Sequence, residues 1–248
     1  MPKMMKKRFK IFLLLLLIFI IYIFYSTNKI NGVWIEAYSF SKHNDSISFR
    51  PTSSRIIEIN NGKIKIHPYS DELKGNFLLF NNHFYFSNIY WNSTLKTVNK
   101  DSMVIFHNNP FITNRKFTMV YKRIPTKYKS TNNYKLTNKF FKSENENNID
   151  TLYFDEKFLI VKTHKKINIL WENVGLIKHK SINGFDVFLS PNSFNLIFKQ
   201  KENKFYLYFL NNMKFTKIEL TEIVKTNELE KQIKNFLTDL RKDVKVRE

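Results

Sequence analysis

Residues 55–67 read RIIEINNGKIKIH, and this stretch has the pattern of a β-hairpin. Asn61 and Gly62 supply the positive φ angles that the two central positions of a type I′ turn require. After the turn, residues 63–67 alternate basic and apolar side chains, as in a strand that has one wet face and one buried face. The stretch therefore predicts that residues 55–60 pair with residues 63–67 in an antiparallel sheet.

The same succession of strands and Asn-rich turns extends along residues 30–125. The other strands predicted in this unit are residues 33–40, 77–80, 83–87, 95–98, 102–107 and 115–124. Seven or eight antiparallel strands in so short a segment predict a small β-barrel or sandwich. Parity along the strand leaves open whether Met103 and Ile105 or Val104 and Phe106 face inward.

A second set of strands follows residues 126–150, which predict a linker. Residues 125–135 are polar without a hydrophobic period, and residues 142–150 are a second polar break. The strands predicted beyond this linker are residues 151–154, 158–164, 167–171, 185–189, 194–199, 204–210 and 213–220. They belong to a second antiparallel unit, residues 151–248.

The chain ends in a segment with helical rather than strand spacing. One face of the predicted helix, residues 227–241, carries the apolar side chains of Leu229, Ile233, Phe236, Leu237 and Leu240. Asn227 followed by Glu230 predicts a capping box at the start of this helix. We therefore expect a mainly β chain with two small antiparallel β-barrel or sandwich units, the second closed by this amphipathic helix.

Residues 11–25 read IFLLLLLIFIIYIFY, and residues 11–28 contain no charge. A helix that rises about 1.5 Å per residue crosses ~30 Å of hydrocarbon with about 17–25 residues, so this segment predicts a transmembrane helix. Residues 22–28 lack the small-x-small pattern of a cleavage site, which favours an uncleaved signal anchor over a cleaved signal peptide. The basic flank, residues 1–10, predicts a cytoplasmic N-terminus and an extracytoplasmic location for residues 30–248, on the periplasmic side in a Gram-negative cell.

The composition of the 248 residues excludes several classes of site. The chain has no Cys and five Gly, which removes disulfide scaffolds, thiolate metal sites and glycine-rich phosphate loops. The formal net charge is +20, from 41 Lys and Arg against 21 Asp and Glu. Many basic side chains alternate with apolar ones along the predicted strands, as on solvated strand faces, so we expect no nucleic-acid partner.

No arrangement of residues in the sequence predicts catalysis. No two of the six His have the i, i+4 spacing of a helical zinc motif, and no G-x-S-x-G elbow occurs. The adjacent carboxylates Asp71-Glu72 and Asp155-Glu156 would point to opposite sides of a strand and are expected in turns. We therefore expect no catalytic residue, no metal site and no cofactor, with an enzyme whose site is assembled only in three dimensions as the alternative.

Gly32 and Trp34 form a G-x-W motif at the start of the first predicted strand, and Arg123, with Lys122 as the alternative, is a basic residue on the last one. A G-x-W in that place, followed by an antiparallel meander, resembles the lipocalin-like (calycin) barrels. The resemblance covers about residues 30–125. It implies that Trp34 closes one end of a barrel and that Arg123 stacks on it in a cation–π contact worth ~1 kcal/mol.

The aromatic and apolar side chains of this first unit permit two interpretations. Phe84, Phe86, Met103 and Ile105 either fill the interior of the barrel or line a cavity for an apolar small molecule. Filling of the interior is the commoner use of such residues in a small barrel, and the cavity is kept as the alternative.

Residues 151–241 resemble the PH-like domains, in which a set of antiparallel strands is closed by one C-terminal amphipathic helix. The stretch ILWENV at residues 169–174 is similar to the strand-to-turn segment of bacterial PH-like sequences. The resemblance implies a basic turn that faces lipid, and Lys162, Lys165 and Lys166 are the residues at that place.

These observations together predict a membrane-anchored, non-enzymatic envelope protein with a binding or assembly role, held in the membrane by residues 11–28. Its partner would be an apolar small molecule in the first unit or another envelope protein. The alternative is a PH-like adaptor that faces the cytoplasm and docks on anionic lipid or on protein partners.

Overall fold

The structure is a computed structural model that describes residues 3–43, 46–50, 55–67, 72–87, 92–108, 115–130, 135–145, 148–154, 159–162, 167–169, 178–189, 195–202, 204–211 and 213–245. Over these residues the predicted fold class is confirmed. The chain is mainly β, with an apolar N-terminal helix, a closed barrel, a curled half-barrel sheet and a C-terminal helix. It divides into two compact units, the first formed by residues 1–52, 56–67 and 71–124 and the second by residues 53–55, 68–70 and 125–248.

The described part of the first unit contains helix α1 (Lys3–Asn28) and nine strands. The strands are β1 (Gly32–His43), β2 (Ser46–Arg50), β3 (Ile56–Asn60), β4 (Lys63–His67), β5 (Leu73–Phe80), β6 (His83–Phe86), β7 (Asn92–Val98), β8 (Ser102–Asn108) and β9 (Arg115–Arg123). From β3 to β9 each strand pairs antiparallel with the next, and β1 pairs with both β3 and β9. Eight strands thus form a closed barrel, and β2 pairs with the second half of β1.

Strand β1 has two successive neighbours on one side. Residues 32–35 pair with β3 and residues 39–43 pair with β2, while β9 pairs with both parts of the strand. The register against β9 shifts between Glu36 and Tyr38. A bulge of this kind bends a strand and increases its twist, so β1 can close the barrel with its first half and extend beyond it with its second half.

The predicted type I′ turn is present. Asn61 and Gly62 have φ angles of 48° and 76°, and the strands on either side pair as expected. The next predicted hairpin turns at Asn81 and Asn82, where φ is 48° and 63°. Asn tolerates the left-handed region better than most other non-glycine residues, which explains how a chain with five Gly makes so many tight turns.

Alternate side chains of the barrel strands point inward and form one core. Its buried members are Ile30, Trp34, Ile57, Ile59, Ile64, Ile66, Phe77, Leu79, Phe84, Leu95, Met103, Ile105, Met119 and Tyr121. The parity that the sequence left open in β8 is decided here, because Met103 and Ile105 are buried whereas Phe106 is 36% exposed.

The described part of the second unit contains a 3-10 helix, η1 (Thr126–Tyr128), nine strands and helix α2 (Asn227–Lys245). The strands are β10 (Lys139–Asn145), β11 (Asn148–Phe154), β12 (Leu159–Lys162), β13 (Ile167–Ile169), β14 (Lys178–Ile182), β15 (Phe185–Leu189), β16 (Leu196–Lys201), β17 (Lys204–Asn211) and β18 (Lys214–Ile223). They form one sheet in the order β13-β12-β11-β10-β18-β17-β16-β15-β14, and this sheet curls into a half barrel.

The prediction of a linker at residues 126–150 is wrong for its second half. Strand β10 and the first residues of β11 lie there, and β10 pairs with both β11 and β18. Phe140 and Phe141 give β10 one apolar side chain for each face of the sheet, a pattern that has no period-2 alternation. Strands β2 and β14 were not predicted either. KHKSI is too polar to show an apolar face, whereas SISFR alternates polar and apolar residues but is only five residues long.

The half-barrel sheet is apolar on both faces. One face carries the buried side chains of Leu136, Phe141, Leu152, Phe154, Phe188, Leu196, Phe198, Phe205, Leu207 and Leu220. On the opposite face Phe140, Tyr153 and Ile223 pack against α2, whose Ile233 and Leu237 are buried among them. The predicted apolar face of the C-terminal helix is confirmed, and it covers the side of β10, β11 and β18 that the main cluster leaves uncovered.

Helix α2 is capped by Thr226 rather than by Asn227. The Thr226 Oγ1 accepts a hydrogen bond from the N–H of Leu229 at 3.2 Å, and its carbonyl accepts one from the N–H of Glu230 at 3.0 Å. The capping box predicted for Asn227 and Glu230 is therefore wrong. The Glu230 carboxylate instead pairs with two lysines at 2.7 Å each.

We expect the Thr226→Ala substitution to lower the free energy of unfolding by about 1 kcal/mol, because it removes the acceptor for an orphan N–H of the first turn. Asn227→Ala is the matched control and should cost less, because that position is already helical and Ala is a strong helix former. Urea unfolding of the full chain in detergent, followed by circular dichroism, measures both. A larger loss for Asn227→Ala than for Thr226→Ala would contradict the assignment of the cap.

Candidate functional site

Gly32, Trp34 and Arg123 lie together where strand β1 begins and strand β9 ends, and we call them the barrel-end cluster. The Trp34 side chain is fully buried, and its Nε1 donates a hydrogen bond to the carbonyl oxygen of Ile30 at 2.9 Å. The Cζ of Arg123 lies 4.2 Å from the centroid of the Trp34 ring. The stacking of Arg123 on Trp34 that the G-x-W motif implied is therefore present, and Lys122 is not the stacking residue.

Arg123 also ties strand β9 to the segment between α1 and β1. Its Nη1 donates to the carbonyl oxygen of Asn31 at 2.6 Å, and its Nη2 lies 3.5 Å from the carbonyl oxygen of Lys29. Burial lowers the pKa of Arg123, and the negative charge of Asp101 partly opposes this effect. Because a guanidinium keeps its proton in proteins, the side chain remains a cation that carbonyl oxygens and an indole ring surround.

Gly32 is required at its position by both backbone and space. Its φ angle is +145°, which side chains rarely permit, and a Cβ there would lie 2.9 Å from the Arg123 Nη1. The glycine of the motif therefore makes room for the guanidinium that stacks on Trp34.

Helix α1 packs with its second half against the outside of strand β5. The N–H of Leu79 donates to the Oγ1 of Thr27 at 3.2 Å, and Thr27 is itself buried. The rings of Phe19 and Tyr22 meet the ring of Phe80 edge-on, at centroid distances of 5.3 and 6.2 Å. These contacts hold the helix beside the β5–β6 hairpin.

The turn of the first hairpin is bonded to the end of the same helix. The side-chain amide of Asn31 donates to the Oδ1 of Asn61 at 2.9 Å, and the backbone N–H of Asn61 donates to the Oδ1 of Asn31 at 2.9 Å. The Asn31 amide also lies 3.1 Å from the Oδ1 of Asn28. The segment that leaves α1 is therefore fixed both to the β3–β4 turn and to β9.

A groove of about 580 Å³ runs between α1 and the outer face of the barrel, and we call it the helix–barrel groove. It is lined on the helix side by Ile20, Ile23, Phe24, Thr27 and Asn28 and on the barrel side by Asn61, Gly62, Lys63, Asn76, Phe77, Leu78, Tyr85, Phe86 and Ser87. Leu78 and Tyr85 are directly paired across β5 and β6, and they are 54% and 57% exposed. They place apolar surface on the outside of the barrel.

The four residues that the sequence nominated for a cavity all point into the barrel. Phe84, Met103 and Ile105 are buried, and Phe86 packs against the same core. The Phe84 ring lies 5.4 Å from Phe77 and 5.7 Å from Phe86, centroid to centroid. These contacts between side chains are those of a filled interior, and Phe77 and Phe86 also line the groove described above.

Titratable side chains of the described residues lie close to one another around His67. His67 lies 3.6 Å from a Glu58 oxygen and 3.4 Å from a Glu72 oxygen. In the part of the chain that the structure describes, no group of three or more His, Asp or Glu is arranged to hold a metal ion. Of the predicted basic turn, Lys162 ends strand β12, whereas Lys165 and Lys166 lie outside the described residues.

The helix itself meets the requirements of a membrane span. Arg8–Asn28 has 21 residues, and its most apolar 18 residues have a mean hydropathy of 2.5 and are 6% buried inside the protein. Its length and composition fit a membrane anchor or a signal sequence.

Sequence reasoning found the barrel-end cluster but missed the helix–barrel groove. A signal was nevertheless present, because FLLF at residues 77–80 and FYF at residues 84–86 are apolar without alternation. A strand with an apolar run has apolar side chains on both faces, so its outer face needs a cover of its own. In this structure helix α1 covers part of the outer face of β5 and β6.

We expect Arg123→Lys to lower the free energy of unfolding by about 1–3 kcal/mol, because an ammonium replaces neither the stacking plane nor the paired donors. Gly32→Ala should also destabilise by roughly 1–3 kcal/mol, since it adds backbone strain and crowds the guanidinium. The control is Lys122→Gln, which should stay within about 0.5 kcal/mol. Thermal unfolding of the full chain in detergent measures all three, and equal stability of Arg123→Lys and Lys122→Gln would refute the role of the cluster.

Comparison with known proteins does not assign this chain to a family. No family model matches the sequence, and no curated protein matches it. The closed barrel and its Trp34–Arg123 contact are therefore features of this structure, and the lipocalin-like and PH-like resemblances stay predictions.

Proposed function

We propose that the protein is a membrane-anchored, non-enzymatic envelope protein with a binding or assembly role, and that α1 is its uncleaved anchor. The observation that carries the proposal is the attachment of an exposed, apolar helix directly to a closed barrel. Three residues separate Asn28 from Gly32, and they are held by Arg123 and Asn61. A helix joined in this way holds the barrel at the membrane surface rather than on a flexible tether.

The contacts of α1 support an anchor that is kept rather than removed. Cleavage near residues 22–28 would remove Phe19 from Phe80, and cleavage after Thr27 would also leave the N–H of Leu79 without its acceptor. A buried or half-buried N–H that loses its partner costs about 1–3 kcal/mol. The mature barrel is therefore more stable with the helix attached.

The distribution of charge supports an extracytoplasmic location for both β units. Five basic residues precede the apolar segment, namely Lys3, Lys6, Lys7, Arg8 and Lys10, whereas Lys29 alone follows it closely. Positively charged flanks stay on the cytoplasmic side of a membrane helix. In the opposite orientation the second unit would be a PH-like adaptor in the cytoplasm, and one experiment separates the two.

The absence of Cys makes the orientation directly measurable, because each introduced Cys is unique. We expect Val224→Cys to react in intact cells with a maleimide that does not cross the inner membrane, since Val224 is 90% exposed. Lys100→Cys, in the exposed turn between β7 and β8, should react likewise. Both positions lie beyond α1 and report on the two units separately.

Lys6→Cys is the matched control on the other flank of α1 and should react only after the cells are opened. Its labelling in intact cells, together with protection of positions 100 and 224, would reverse the orientation and favour the cytoplasmic adaptor. Recovery of the labelled protein in the soluble fraction would overturn the anchor itself.

A further inference from the structure

The packing of α1 against the β5–β6 hairpin fixes how deep the hairpin lies in the membrane that the helix crosses. Phe19, whose ring contacts Phe80, is nine residues before the end of the helix at Asn28, or about 13 Å along its axis. A hydrocarbon core ~30 Å thick takes about 20 helical residues, so nearly the whole of Arg8–Asn28 is needed to cross it. Phe80 therefore lies beside a part of the helix that the leaflet surrounds.

The outer face of the hairpin is apolar over much of its area, while His83, opposite Phe80 and next to the turn, is polar and exposed. Leu78 and Tyr85 are more than half exposed and lie side by side, and Phe80 extends the same face toward Phe19. Such a pair of large apolar side chains on the outside of a barrel wall is costly in water, at about 25 cal/mol per Å² of apolar surface. In the acyl region of a leaflet this cost disappears.

Many backbone groups of the hairpin also have hydrogen-bond partners within the protein, as a medium without water requires. Strands β5 and β6 pair with each other and with β4 and β7 on their outer sides. Beyond the end of β4, the N–H of Leu79 is accepted by Thr27 of the helix. Lipid tolerates a polypeptide surface only where its backbone groups are bonded internally.

The lining of the helix–barrel groove changes from apolar to polar along α1 toward Asn28. A leaflet changes in the same way from its acyl chains to its headgroups. On the helix side the lining is apolar at Ile20, Ile23 and Phe24 and polar at Asn28, and Lys63 is a basic residue on the barrel side. From residue 20 to residue 28 the helix rises about 12 Å, which is the scale of the step from upper acyl chain to headgroup.

Exposed tyrosines lie on α1 and on the β5–β6 hairpin. Tyr22, Tyr25 and Tyr85 are 48%, 71% and 57% exposed. Tyrosines are enriched at membrane interfaces, where the ring lies in apolar surroundings and the hydroxyl reaches water.

We propose that the β5–β6 hairpin enters the leaflet next to α1, and that the acyl chain of a phospholipid from this leaflet occupies the helix–barrel groove with its phosphate toward Lys63. The inference rests on the proposed function, because it requires that α1 stays in the membrane. It gives the barrel a second point of contact with the bilayer and fixes which end of the barrel faces lipid.

The experiment uses the absence of Cys again. The full-length chain carries a nitroxide label at Leu78→Cys or Tyr85→Cys and is reconstituted in vesicles of phosphatidylethanolamine and phosphatidylglycerol. Collision with oxygen, which concentrates in lipid, is compared with collision with a water-soluble nickel chelate by power-saturation spectroscopy. We expect an oxygen-to-nickel ratio several-fold higher at both positions than at a water-exposed control.

Ile47→Cys is the matched control, because Ile47 is also a large apolar residue and is 70% exposed. Ile47 pairs with Lys42 on β1. Lys42 is ten residues beyond Gly32, and the strand therefore separates it by about 30 Å from the residue where β1 leaves α1. Thermal unfolding of each labelled protein verifies that it is folded.

Two failures are distinguishable. If the protein floats with the vesicles but positions 78 and 85 collide with nickel as often as position 47, the hairpin is in water and the inference is overturned while the anchor stands. If the folded protein does not float with the vesicles, the proposed anchor is overturned and the inference with it.

Discussion

The first unit depends on a single cation that joins the beginning and the end of the barrel. Arg123, on the last strand, bonds to carbonyl oxygens of the segment that leaves α1 and covers the ring of Trp34 on the first strand. Closure of a barrel requires that its first and last strands stay in register, and here the same contact also fixes the exit of the membrane helix. The contacts of Arg123 therefore fix both the orientation of the helix and the closure of the sheet.

The second unit solves a different problem, that of an open sheet with two apolar faces. Its main cluster lies on one face of the curled sheet, and α2 covers Phe140, Tyr153 and Ile223 on the other. Near η1 the ring of Tyr128 stacks on Tyr208 at 3.9 Å and covers part of the same second face. Among the described residues, Phe side chains thus serve as core on both sides of a strand, as Phe140 and Phe141 do, which accounts for an aromatic pair without alternation.

The basic residues behind the net charge of +20 lie in several different parts of the chain. Some of them flank α1, and many of the others lie on outward positions of strands, where lysines pair with glutamates, as Lys139 does with Glu222 at 2.6 Å. Arg123 is the exception, because it is partly buried and acts within the barrel. The groove beside α1 has one lysine, Lys63, among its lining residues.

The sequence by itself determined the local structure: the membrane-length helix, the Asn-Gly and Asn-Asn turns, most of the strands and the apolar face of α2. These follow from propensity and period, which act over a few residues. It also indicated Gly32, Trp34 and Arg123, because a spaced motif is visible along the chain. Only the tertiary structure decided that Met103 rather than Val104 faces inward, that β10 and β14 are strands, and that α1 lies against β5. Each of these depends on which distant segments pack against one another. Such packing leaves no periodic pattern in the local sequence.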